Sequence, residues 1–253
     1  MNYDAFMEPL TWFLTGMEKH SDEYREDLLG NSDAFIGAMK NHMRALHMSA
    51  LQTAMNELSN HDHSRFLTRT NHRVGRISYA GAEAASEGVN PAVMREAVAI
   101  QMTWPGAPTV YYGDEAGLCG FTDPDNRRTY PWGREDYQMI DFHRVMIRIH
   151  KSYEVLKTGS LGFLWNDYQG LCYARFSQKE QMIVIINNRA ESREVEIQLW
   201  QSGISRLADT KLERIVMTSA EGFTEEPAEY IASAGILKLT MPAFGVVVLH
   251  HKN

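Results

Sequence analysis

Apolar positions follow a helical period as far as residue 159 and mostly a strand period after it. Phe6 to Gly16 reads as a short apolar helix, with Met7, Leu10, Trp12, Phe13 and Leu14 on its buried side. Glu18 to Asn31 is polar and loop-like. Ser32 and Asp33 suit the start of a second helix, because short polar side chains satisfy free backbone amides there. Phe35, Met39, Met43 and Leu46 make a helical stripe that predicts this helix as far as Leu51. Ala54 to Leu58 reads as a short buried strand, and Ser64 to Thr70 can begin another helix. Asn90-Pro91 is a helix start signal, a cap followed by proline at the first helical position. Val93, Ala97, Ile100 and Met102 carry that helix to Trp104-Pro105-Gly106. Pro108 to Tyr112 predicts a second buried strand ending in Gly113-Asp114-Glu115, and Tyr137 to Tyr153 a helix burying Phe142, Val145, Met146 and Ile149.

Helices alternating with buried strands imply a parallel sheet. After Gly159 the period changes. Leu171 to Phe176, Met182 to Ile186, Val195-Ile197-Leu199, Ile236 to Met241 and Val246 to Leu249 read as strands. Glu194 to Leu199 alternates strictly between polar and apolar, the pattern of a strand with one wet face. Turns such as Asn187-Asn188 and Gln201-Ser202-Gly203 separate these runs. The expected fold class is α/β plus all-β, residues 1–159 forming an α/β unit and 160–253 a separate antiparallel β-domain.

Composition narrows the function classes. With 44% hydrophobic and 23% charged residues the chain is an ordinary globular protein. Its 25 basic and 32 acidic residues give a net charge of −7, which argues against a nucleic-acid or anionic-membrane surface. No apolar run approaches membrane-spanning length. Cys119 and Cys172 are too few for a disulfide framework and read as free thiols of a reducing compartment. Met1-Asn2-Tyr3-Asp4 carries no basic leader. The expected location is the cytoplasm.

Candidate chemistry sits where the first strand ends. Asn60-His61-Asp62 gathers an amide, an imidazole and a carboxylate on one loop, at the end of a parallel strand where α/β proteins place their sites. Asp62 or Ser64 can equally serve as the cap of the following helix. His61 and His63 around Asp62 offer two nitrogen ligands with no obvious third, so no metal is expected. The loop from Gly117 to Arg134, rich in Gly, Asp, Pro and Arg, has the length of a functional loop.

Three segments resemble one family. Leu58-Ser59-Asn60-His61-Asp62 looks like the fourth signature region of the α-amylase family of glycoside hydrolases. Gly106-Ala107-Pro108-Thr109-Val110-Tyr111-Tyr112-Gly113-Asp114-Glu115 looks like the eighth strand of the same barrel. Gly120 to Trp132 (GFTDPDNRRTYPW) is similar to the loop after it, in the form found in the cyclomaltodextrinase, neopullulanase and maltogenic amylase branch. The resemblance implies the C-terminal part of a (β/α)8 TIM barrel, its last strands and helices over residues 1–159, followed by an antiparallel β-sandwich domain over 160–253. It implies that Asp62 stabilises an oxocarbenium-like transition state. His61 would bind the same sugar, and Asp123 and Arg127 a neighbouring glucose unit. Asn60 is counted with these substrate-binding residues and would help hold the loop.

Retaining glycosidases also need a nucleophile and a general acid roughly 5–5.5 Å apart, which in this family lie on earlier strands. Neither signature occurs here, and Met1-Asn2-Tyr3 itself resembles the segment after the sixth strand. The implied cofactor set is therefore none, any family calcium site lying in an N-terminal part. The implied partners are α-glucan oligosaccharides, maltodextrin and cyclomaltodextrin, without nucleic acid or membrane. The other implied reading is a non-catalytic carbohydrate-binding or barrel-completing chain. Strands at an open barrel edge further imply self-association.

Overall fold

In the computed structural model, which describes residues 1–253, several helices begin where a polar side chain satisfies free backbone amides. A π-helical turn (Tyr3–Met7) leads into α1 (Glu8–Thr15). Asn31 accepts from the Ala34 amide and starts α2 (Ser32–Met43). Helix α2 stops well short of Leu51. The turn Arg44–His47 intervenes and leaves Leu46 and Met48 exposed before α3 (Met48–Gln52). Strand β1 (Met55–Glu57) follows, then α4 (Phe66–Arg69) and α5 (Ile77–Ala80). Asn90 caps α6 (Pro91–Thr103), which leads to β2 (Ala107–Thr109). Asp136 caps α7 (Tyr137–Ser152), and α8 (Glu154–Thr158) closes this part. The α4 start is not capped by Asp62 or Ser64. The Ser59 hydroxyl accepts from the Phe66 amide at 2.9 Å, so Asp62 is left for other work.

Strands β1 and β2 pair in parallel, with Asn56 opposite Pro108. Strand β2 ends at Thr109, so the strand expected over Pro108 to Tyr112 lies earlier and Tyr111 and Tyr112 turn out of it. Gly106, at φ +139°, lets the chain pass against Asn56; a Cβ there would meet the Asn56 amide at 2.3 Å. The freed Asn56 amide donates to the Pro105 carbonyl at 2.9 Å. Gln101 on α6 donates to the Asn56 and Thr109 carbonyls, one on each strand. On the other side of β1, the Asn2 amide donates to the Met55 carbonyl at 3.0 Å.

The second part is all antiparallel: β3 (Ser160–Asp167), β4 (Gly170–Phe176), β5 (Glu180–Asn187), β6 (Arg193–Gln198), β7 (Thr210–Thr218), β8 (Phe223–Thr224), β9 (Glu229–Ser233), β10 (Ile236–Met241) and β11 (Gly245–Lys252). The strand order is β3-β4-β5-β11-β7-β9-β10-β6, with β8 paired to β7. This corrects the expected sandwich. Every neighbour on that path is hydrogen-bonded, so no break divides the strands into two facing sheets. One continuous sheet instead coils until its ends meet. There Arg193 of β6 pairs with Asp167 of β3 at 2.9 Å and lies 5.0 Å from the Trp165 ring.

Alternation explains how the sheet is held. Cys172, Ala174, Ile183, Ile185, Val247 and Leu249 fill the inside of the coil. Leu171, Tyr173, Met182, Val184, Ile186, Val246 and Val248 point the other way, into one core with the helices. Strands β4, β5 and β11 are therefore buried on both faces and read as unbroken apolar runs. Arg175, itself buried, pins the seam by donating to the Thr103, Leu156 and Gly159 carbonyls. Glu96 on α6 is also fully buried, and neither carboxyl oxygen has a partner. No helix is long and apolar enough to cross a membrane.

Candidate functional site

The loop after β1 is fixed atom by atom. The Asn60 side-chain oxygen accepts from the Asp62 and His63 amides at 2.9 and 3.1 Å, folding the backbone around it. Its nitrogen donates to Glu57 at 3.0 Å and to the Tyr3 hydroxyl at 3.2 Å. Asn60 is thus buried, with both polar atoms turned into the protein.

The next chain segment secures the same loop from above. Four consecutive carbonyls, Asn60 to His63, each accept a hydrogen bond from a side chain of the segment after β2. Asn126 donates to Asn60 and His63 at 3.0 and 2.7 Å. Thr122 donates to Asp62 at 2.6 Å, and Arg127 to His61 at 3.0 Å. Below them Arg65, wholly buried, donates to the Asn126 and Tyr112 carbonyls and to Asp114, and lies 4.1 Å from the Tyr111 ring. The Asn126 bonds matter most, because the Asn60 and His63 carbonyls are buried and would otherwise go unpaired, whereas the His61 carbonyl is exposed to water.

Four sequence-selected side chains stand on this frame, half-exposed. His61 Nε2 lies 3.4 Å from an Asp62 carboxyl oxygen, the side chains 55 and 50% exposed. Arg127 Nε lies 2.8 Å from an Asp123 carboxyl oxygen, and those side chains are 48 and 47% exposed. The result is two acidic and two basic or imidazole groups side by side, able to give and take hydrogen bonds from a polyhydroxylated ligand. Further along the same segment, Trp132 is the most exposed of the chain's tryptophans, its ring 4.5 Å from that of Tyr130. No three His, Cys, Asp or Glu side chains are grouped to hold a metal ion.

Burial sets the electrostatics behind the site. Glu57 is buried and its carboxyl is raised above the usual range, with Asn60 opposing the shift. Asp114 is raised for the same reason, though Arg65 offsets part of it. The His63 ring is pushed down to about 3, first by burial and then by Arg69, and it stays neutral between the rings of Tyr3 and His20. Burial also raises the Tyr3 hydroxyl, with Glu57 and Asp62 adding to it.

Sequence reasoning missed Tyr3, His20, Arg65, Thr122 and Asn126. The last two lie inside the Gly120–Trp132 segment and were open to notice there. Tyr3 lies in Met1-Asn2-Tyr3, whose resemblance to the segment after the sixth strand implied no role at the site, and His20 gave no signal, because its contacts cross long stretches of chain.

The family model described as "Alpha amylase, catalytic domain" matches residues 13–230. Neopullulanase 2 of Thermoactinomyces vulgaris is 32% identical over 208 residues, 80% of this chain and 30% of that protein. Amylopullulanase of Thermoanaerobacter thermohydrosulfuricus is 32% identical over 163 residues, 57% of this chain and 10% of that protein. The chain thus spans less than a third of the length of these curated relatives. Among solved structures, the native form of the debranching enzyme of Nostoc punctiforme superposes with a TM-score of 0.71 at 25% identity, over 98% of this chain and 47% of that one. A cyclomaltodextrinase superposes with a TM-score of 0.74 over all of this chain and 36% of its own; at 20% identity that likeness speaks for the fold alone.

Proposed function

The chain belongs to the α-amylase family of glycoside hydrolases, a TIM-barrel family, in the branch of the cyclomaltodextrinases, neopullulanases and maltogenic amylases, and on that premise we propose that it carries the sugar-contacting part of a retaining α-glucan hydrolase site. Residues 1–159 are then the C-terminal part of the catalytic (β/α)8 barrel and 160–253 the antiparallel β-domain that follows it. The substrates are α-glucan oligosaccharides of the maltodextrin or cyclomaltodextrin type.

The observation that carries this reading is the pair of half-exposed acids, Asp62 and Asp123, on loops whose backbone is locked by side-chain donors. In this reading Asp62 hydrogen-bonds the hydroxyls beside the scissile bond and stabilises the oxocarbenium-like transition state. A carboxylate fixed beforehand needs no reorganisation as charge develops, which is where such groups lower a barrier. His61 binds the same sugar, and Asp123 with Arg127 a neighbouring glucose unit. Asn60 serves by shaping the loop. The nucleophile, the general acid and any calcium site are supplied from outside these 253 residues. Two buried free thiols, Cys119 and Cys172, support a cytoplasmic location.

The test is calorimetric titration of the chain with maltoheptaose. Binding at millimolar sugar, lost in Asp62→Ala and weakened in His61→Ala and Arg127→Ala, is expected. Absence of binding at millimolar sugar contradicts the reading.

A second reading, a barrel-completing or non-catalytic partner chain, is favoured by one observation. The parallel sheet has two strands, and Met55, Val110 and Tyr112 beside them are exposed. Unpaired strand edges and bare apolar side chains drive association. Light scattering of the purified chain is expected to give more than a monomer; a monodisperse monomer counts against it.

A further inference from the structure

The segment from Glu18 to Ser21 has no place in the function derived so far, yet it is bound to the Asp62 loop at several points. The Ser64 amide and hydroxyl both donate to the Lys19 carbonyl, at 3.1 and 2.9 Å. Ser21 Oγ lies 2.9 Å from Ser64 Oγ. His20 Nδ1 lies 2.7 Å from Thr122 Oγ1, the same hydroxyl that donates to the Asp62 carbonyl at 2.6 Å.

Proton counting orders these contacts. A carbonyl only accepts, so the single Thr122 hydroxyl proton points at Asp62. The Thr122 oxygen must then accept from His20, and Nδ1 must carry the ring proton. The same count makes Ser64 accept from Ser21, since the Ser64 proton goes to the Lys19 carbonyl. Which imidazole nitrogen is protonated is set by the bonds around the ring, and here one bond decides it. Protonation of Nε2 leaves Nδ1–H in place, so the chain of donors survives in the imidazolium form as well.

We propose that His20 is a positioning residue for Asp62: held as the Nδ1–H form, it donates to Thr122, which in turn donates to the Asp62 carbonyl and fixes the loop that presents the carboxylate. Its ring also packs on buried His63 at 4.6 Å between centroids, so its place is defined from two sides. The relay stands on this geometry alone; its consequence for sugar binding rests on the role proposed above for Asp62.

Ring-nitrogen NMR of the histidine-labelled chain tests it, with the His20 signals assigned by their loss in His20→Asn. The expected result is a proton on Nδ1 of His20, kept in Thr122→Ser and redistributed towards Nε2 in Thr122→Val, which retains the side-chain shape. A proton on Nε2 of His20 in the unaltered chain, or no change in Thr122→Val, overturns the proposal. Amide exchange at Asp62 and His63 reads the positioning itself. His20→Ala is expected to speed it about fivefold to tenfold, the size of one lost hydrogen bond. His20→Asn, whose Nδ2 sits close to where Nδ1 was, is expected to restore it. Unchanged exchange in His20→Ala overturns the positioning role. Maltoheptaose affinity is the third readout. If the tautomer and exchange results hold while affinity is unmoved, the relay stands and the sugar-binding role of Asp62 falls.

Discussion

The Asp62 loop and the nine-stranded sheet are held in place in opposite ways. The sheet is held by repetition. Ile183, Ile185, Val247 and Leu249 face one core while Met182, Val184, Val246 and Val248 face the other, and neighbouring residues do similar work. The loop is held by particular bonds. Each of its four carbonyls accepts from a named side chain of a segment some sixty residues away in sequence, and the Asp62 carbonyl also from the Asp123 amide at 3.5 Å. A repeating apolar core tolerates the loss of one member by degrees, whereas a polar frame fails where a buried group is left unpaired.

The largest expected effect comes from breaking the polar frame. Arg65→Ala leaves Asp114 buried without its cation and frees the Tyr112 and Asn126 carbonyls. Denaturant unfolding is expected to show a loss of about 3–5 kcal/mol, the range for one partner of a buried pair. Ile185→Ala probes the sheet and is expected to cost about 3 kcal/mol. The comparison requires that it leave maltoheptaose binding unchanged, and a joint loss of both would erase the distinction.

Acid and base should separate the two regions by sign. His63, behind the loop, has its folded value pushed from 6.5 to about 3. The unfolded chain therefore binds more protons between those values, and stability contributed by the loop side falls as pH drops below 6.5. Glu96, on the helix packed against β5, β7 and β11, is raised well above 4.5 by burial. Its contribution is present below 4.5 and is lost as pH climbs through the raised value. Urea midpoints of His63→Gln and Glu96→Gln against pH check this. Each variant is expected to remove a slope of up to about 1.4 kcal/mol per pH unit, the two slopes having opposite sign.

The smallest stability effect belongs to the half-exposed groups. Arg127→Ala is expected to change unfolding free energy by under about 1 kcal/mol, since its pair with Asp123 and its bond to the His61 carbonyl are both exposed, and water can replace them. It is nonetheless expected to weaken maltoheptaose binding severalfold.

The same contrast governs what the sequence made legible. Strands β4, β5, β6, β10 and β11 were visible because their apolar runs or alternation are local patterns. Strands β3, β7 and β9 were not, because Ser160 to Asp167 and Thr210 to Thr218 mix half-buried and exposed positions without a clean period. The α2 stripe misled, since Met43, Leu46 and Leu51 keep helical spacing across a turn at Arg44–His47. Strand β2 was placed too late because Tyr111 and Tyr112 look like buried strand residues, yet they leave the sheet to flank the Arg65 guanidinium. At the loop, the exposed residues His61, Asp62, Asp123 and Arg127 were legible as a motif. Their supports were less so. No periodicity links His20 to Thr122, or Asn126 to Asn60.

The most direct test of the central claim is reducing-sugar release from maltodextrin by the purified 253-residue chain. On the proposed reading, in which Asp62 stabilises the transition state and the nucleophile and acid are supplied from elsewhere, no turnover is expected even where maltoheptaose binds. Turnover that Asp62→Ala abolishes would contradict it, because the chain would then hold a complete site.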